Sequence, residues 1–98
     1  MITHHKNNAE GDKFKYYSTM GDGSVLAYWT CYHYPATWEI RLPTGDRVTN
    51  KYVFKDFDSC MSNIIRVLES GAITPDNPYS ILDFKNANEY GFEQVKGM

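Results

Sequence analysis

The chain has 98 residues, which is enough for one domain with a small core, since a domain of this size buries well over half the surface of its unfolded form. A formal charge of −2 excludes a chain that binds nucleic acid by bulk electrostatics alone. Two cysteines exclude a disulfide framework, and no apolar run approaches the length of a membrane span.

The amino terminus lacks the apolar stretch of a signal peptide, so a reducing cytoplasm is the expected location. Charge is uneven along the chain. Residues 1–55 hold seven Lys or Arg against five Asp or Glu, and residues 56–98 hold three against seven. Aromatic residues make up 15% of the chain and eight of them are tyrosines, rings that suit half-wet surfaces as well as cores.

Residues 1–12 are polar and aperiodic, which predicts a flexible tail before a single domain over 13–98. Lys13 to Met20 alternates Phe14, Tyr16, Ser18 and Met20 against Lys13, Lys15, Tyr17 and Thr19, the pattern of a half-buried strand. Gly21-Asp22-Gly23-Ser24 is a hairpin turn. Val25 to Tyr34 is the aromatic strand. One face carries Val25, Ala27, Trp29, Cys31 and His33, and the other Leu26, Tyr28, Thr30, Tyr32 and Tyr34. Pro35 ends it.

Thr37 to Leu42 puts Trp38, Ile40 and Leu42 on one face, and Pro43 to Asp46 is a second turn. Arg47 to Lys55 is a fourth strand. Phe57, Cys60, Met61, Ile64, Ile65 and Leu68 then form one stripe of an amphipathic helix. Asp56 or Asp58 suits its first turn and Gly71 its left-handed cap. Beyond the Pro75–Pro78 loop lies an irregular acidic segment, with Phe92 to Val95 read as a short closing strand. The expected fold is α+β: a four-stranded antiparallel meander with one helix on one face.

No constellation reaches the standard of a catalytic motif. Cys31 and His33 share a strand face at roughly 6–7 Å, within reach of a nucleophile–base pair, but no third residue orients them and packing is the better reading. His4 and His5 lack further ligands at metal spacing. Gly21 to Ser24 lacks the lysine and helix of a phosphate loop. Asp56 and Asp58 read as capping residues. No catalytic residue, metal or cofactor is therefore expected.

What remains is the outer sheet face. It would display Tyr28, Tyr32, Tyr34, Glu39, Arg41, Lys51 and Lys55, joined by Lys13, Lys15 and Tyr17 from the neighbouring strand. Tyrosine beside arginine marks protein hot spots, and aromatic and basic residues together also suit stacked bases and phosphates. A third reading leaves the tyrosines as cross-strand packing. In the protein-partner reading, Asp76, Asp83, Glu89 and Glu93 would meet a basic surface on the partner. The chain would be a monomer, or a homodimer paired through the aromatic face.

Small acidic chains without an enzyme signature resemble accessory proteins of phages and mobile elements. That resemblance implies an inhibitor or regulator of a larger partner, such as a host-defence or nucleic-acid-handling complex. The stretch from Trp38 to Leu68, a hairpin turning at Thr44-Gly45-Asp46 and then an amphipathic helix, resembles the arm-type DNA-binding domains of phage integrases. That resemblance implies the alternative, a nucleic-acid-binding module using Arg41, Arg47, Lys51 and Lys55.

Overall fold

The computed structural model describes residues 1–50 and 53–76, and the backbone of residues 92–95. Its strands are β1 (Thr3–Lys6), β2 (Tyr16–Thr19), β3 (Val25–Cys31), β4 (Trp38–Arg41), β5 (Arg47–Asn50) and β6 (Phe92–Val95); the helix α1 (Phe57–Glu69) stands between β5 and β6. The strands form one antiparallel sheet in the order β1-β2-β3-β4-β5-β6. The α+β class and the meander expected from the sequence hold, but two more strands flank the expected four.

The first addition corrects the reading of residues 1–12 as a flexible tail. Thr3 to Lys6 pairs with Tyr16 to Thr19 as an edge strand. Its polar side chains find partners in the fold, which an apolar pattern could not have announced. The second is β6, the closing strand expected at Phe92 to Val95, paired to β5 in a register that places Phe92 opposite Asn50.

The two anticipated turns are in place. Gly23 (φ +88°) lies between β2 and β3, and Gly45 (φ +96°) between β4 and β5, both in the left-handed region that favours glycine. Helix α1 begins where Asp56 accepts the Ser59 amide at 2.8 Å, and it ends before Gly71 at φ +81°. The Ser59 amide bond holds the Asp56 carboxyl below its ordinary value.

One face of α1 buries Cys60, Ile64, Val67 and Leu68 against Trp29, Trp38, Ile40 and Val48 from the sheet. The two buried indoles each have a partner for their N–H. Trp38 donates to Asn63 on the helix at 2.8 Å, and Trp29 donates to Ser18 on β2 at 2.9 Å. No buried side-chain polar atom among the described residues lacks a hydrogen bond.

The candidate protein-binding surface

The structure divides the expected surface into two regions. On the outer sheet face the strand register sets Tyr28 of β3 directly opposite Arg41 of β4, and Tyr17 of β2 opposite Tyr28. The Arg41 guanidinium lies over the Tyr28 ring at 4.8 Å and over the Phe14 ring at 4.6 Å. It also reaches the Asp12 carboxylate at 3.5 Å.

Phe14 is the residue that explains this crowding. Alternation placed it with Tyr16 and Ser18 on the helix-facing side. Instead β2 begins only at Tyr16, and Phe14 crosses to the outer face, where it is 1% exposed. The cause is local. Asp12 accepts the Phe14 amide at 3.0 Å, an Asx-type turn that breaks the strand pattern. Asn7 donates to the Phe14 carbonyl at 2.8 Å and to Asp12 at 3.0 Å. Residues 7–15 thus form a strap that presses a phenyl ring onto the sheet. The Phe14 amide and Asn7 hold the Asp12 carboxyl below its usual range, with Arg41 adding to the effect.

Glu39 completes the satisfaction of this face. It pairs with Arg47 at 2.8 Å and with Lys13 at 3.2 Å, and it accepts the Tyr32 hydroxyl at 3.0 Å. Burial and the neighbouring Glu39 push the Tyr32 phenol up. Arg41 and Tyr32 therefore serve the fold on a face expected to be a partner surface. Tyr28 serves it too, held between Arg41 and Tyr17, whose ring lies 6.1 Å away.

The second region lies where the sheet meets the start of α1. Strand β3 leaves the ladder after Cys31, so Tyr34 does not extend the tyrosine row. It stands on the loop to β4, joined to Pro35 by a cis peptide, and it is 96% exposed. Val53 nearby is 68% exposed. The His33 imidazole stacks on Phe57, the first residue of α1, at 4.0 Å and 5°. The Phe54 amide donates to the Ala36 carbonyl at 2.8 Å, drawing the β5–α1 connection against the loop. Tyr34, Val53, His33, Phe57, Lys55 and Asp56 surround a cleft of about 380 Å³. A neighbouring groove of about 510 Å³ continues along α1 past Asp58 to Arg66, sharing Lys55 and Asp56.

Of the anticipated partner-binding residues, then, Tyr34 and Lys55 meet at one cleft, and Tyr28, Tyr32 and Arg41 lie on the strapped face. Asp76 is exposed and accepts the Thr74 hydroxyl at 3.0 Å. Lys51, Asp83 and Glu89 lie outside the described residues.

Cys31 and His33 do not pair. The Cys31 sulfur contacts Cys60, and the His33 ring lies on Phe57. A different constellation, invisible in the sequence, joins Ser18, His4 and Glu69. His4 Nδ1 is 2.7 Å from Ser18 Oγ, and its Nε2 is 2.9 Å from Glu69. The residue types are those of a hydrolytic triad, but Ser18 has no exposed surface and its oxygen already accepts the Trp29 indole. With Ser18 donating to His4 and His4 to Glu69, the chain of bonds ties β1 to the end of α1. His5, on the opposite face, bonds Thr19 at 2.9 Å and stacks on Tyr17 at 4.7 Å. Both histidines are thereby engaged in the sheet. Among the described residues no three His, Cys, Asp or Glu side chains gather as a metal site would require, and no helix is long and apolar enough to cross a membrane.

Comparison with protein-family models, with curated proteins and with solved structures finds no match in any of the three.

Proposed function

We propose that this chain is a small non-enzymatic protein-binding module that inhibits or regulates a larger cytoplasmic partner, and that it binds through the cleft at the start of α1. The observation that carries the reading is the exposure of Tyr34 and Val53 beside the stacked His33–Phe57 pair. Large side chains left in water at the lip of a cleft are what interface anchors look like before binding.

Charge favours protein over nucleic acid as the partner. The basic residues of the sheet face that phosphates would need, Arg41, Arg47 and Lys13, are paired with Asp12 and Glu39. The cleft and groove place Asp56 and Asp58 beside Lys55, a mixed lining that would repel as well as attract a phosphate backbone. The fitting occupant is a protein segment with an apolar anchor for the Tyr34–Val53 lip and a neighbouring Lys or Arg for the aspartates. In this reading the chain is an accessory protein that acts by occupying a surface of its partner.

The test compares affinity capture by the wild-type chain, by Tyr34→Ala/Val53→Ser and by Tyr32→Phe. The reading expects one stoichiometric partner that the wild type and Tyr32→Phe retain and the double variant loses. Hydrogen exchange on that complex should protect residues 33–36 and 53–57. Equal capture by all three, or a shift of mixed DNA or RNA at low salt and micromolar protein, would overturn it. A second copy of the chain as sole partner, seen as a dimer in solution, would replace it with a homodimer interface.

A further inference from the structure

Two thiols face each other between the sheet and the helix, and the binding account uses neither. Cys31 closes β3 and is half-buried; Cys60 lies in the first turn of α1 and is fully buried. The Cys60 thiol donates to Cys31 Sγ, with the sulfurs 3.7 Å apart across 29 residues of sequence. Both are free thiols, and the contact links the two layers of the fold at one point.

We propose that Cys31 and Cys60 form a disulfide on exposure to a small-molecule disulfide, locking the first turn of α1 to the end of β3. The geometry asks little. The sulfurs, already in contact at 3.7 Å, must close to the ~2.05 Å of the bond. Cys31, the more accessible of the pair, attacks oxidised glutathione as its thiolate, and one glutathione thiolate leaves and takes up a proton. Cys60 then loses its proton and attacks Cys31 Sγ in the mixed disulfide, expelling the second glutathione. Two protein thiols are oxidised to one disulfide and one glutathione disulfide is reduced to two glutathiones.

Burial pushes both thiols up, Cys31 further because it would ionise beside Cys60. The exchange is therefore slow at neutral pH and accelerates in alkali. The consequence reaches the binding region, since Phe57 opens the same first turn of α1 and carries the stacked His33 ring. The bond would fix the platform on which that ring rests. The site stands or falls independently of what binds there.

The full chain is incubated with oxidised glutathione, quenched in acid, unfolded, alkylated and mapped by mass spectrometry. The expected product is monomeric, two hydrogens lighter, with a Cys31–Cys60 cross-linked peptide and no alkylated cysteine. Its melting temperature should rise by about 5–15 °C, and the rise should vanish with dithiothreitol. The rate should increase about tenfold per pH unit between roughly pH 7 and 9. Cys60→Ser should stop at a glutathione adduct on Cys31, and Cys31→Ser should stay unmodified, each variant first shown to melt cooperatively. Persistent alkylation of both cysteines after oxidation, a stable glutathione adduct on the wild type, or a cross-linked dimer would each overturn the proposal.

Discussion

The strapped sheet face and the cleft at the start of α1 are built from the same kinds of residue and differ in how far the fold satisfies them. On the sheet, Arg41 lies between the Phe14 and Tyr28 rings, and Glu39 gathers Lys13, Arg47 and Tyr32. At the cleft, Tyr34 is almost wholly in solvent and Val53 largely so. Composition alone cannot separate these cases. An aromatic and basic patch becomes a binding surface only where the fold has not already supplied its partners, and here the nine-residue strap and Glu39 together supply them on one face and leave the other region open.

The sharpest way to break this contrast is to remove the strap's anchor. Phe14→Ala deletes a ring that is 1% exposed and should destabilise the chain by about 3–5 kcal/mol in denaturant unfolding. A cost under about 1 kcal/mol would mean that the strap is only resting on the sheet. Next in size, Glu39→Gln weakens two ion pairs whose cationic ends are partly in water. The expected loss is about 1 kcal/mol, with the Tyr32 phenol returning towards its ordinary range in a tyrosinate absorbance titration.

Acid should open the strap before the rest of the fold. The Asp12 carboxyl is lowered in the folded chain, so its contribution is present above the unfolded value near 3.8 and is lost as pH falls below it. Hydrogen exchange at the Phe14 amide should quicken in that window, and Asp12→Asn should show the quickened rate already at neutral pH. Unchanged protection in both would remove Asp12 from the account. The smallest expected effect is at the cleft. Tyr34→Ala should change stability by no more than about 0.5 kcal/mol, because the ring is 96% exposed. A larger loss would mean that Tyr34 belongs to the fold.

The elements legible in the sequence were those with a strong local signal. Phe57 to Leu68 carries a helical stripe and an aspartate cap, and Trp38, Ile40 and Leu42 alternate cleanly. Glycines mark the turns at Gly23 and Gly45. The edge strand was hidden because Thr3-His4-His5-Lys6 has no apolar member to alternate. Its ladder to β2 is backed by the side-chain bonds of His4 to Ser18 and of His5 to Thr19, and His4 also ties it to Glu69 on α1.

The candidate site was half legible for a related reason. Tyr34 and Lys55 were singled out by residue type, and the fold brings them to one cleft. What covers Arg41 could not be read, since Phe14 stands 27 positions earlier and reaches it only because Asp12 turns the chain two residues before. In the sequence the aromatic row from Tyr28 to Tyr34 reads as one ladder. The chain leaves the sheet after Cys31, so its last ring serves a different surface from its first.

The central claim is that this chain meets its partner at the start of α1 and not on its sheet. Affinity capture with Tyr34→Ala/Val53→Ser set against Tyr32→Phe tests it most directly, each variant first matched to the wild type in thermal melting. The account predicts that the double variant loses the partner while Tyr32→Phe retains it in full. Loss by Tyr32→Phe with retention by the double variant would place binding on the sheet face and contradict it.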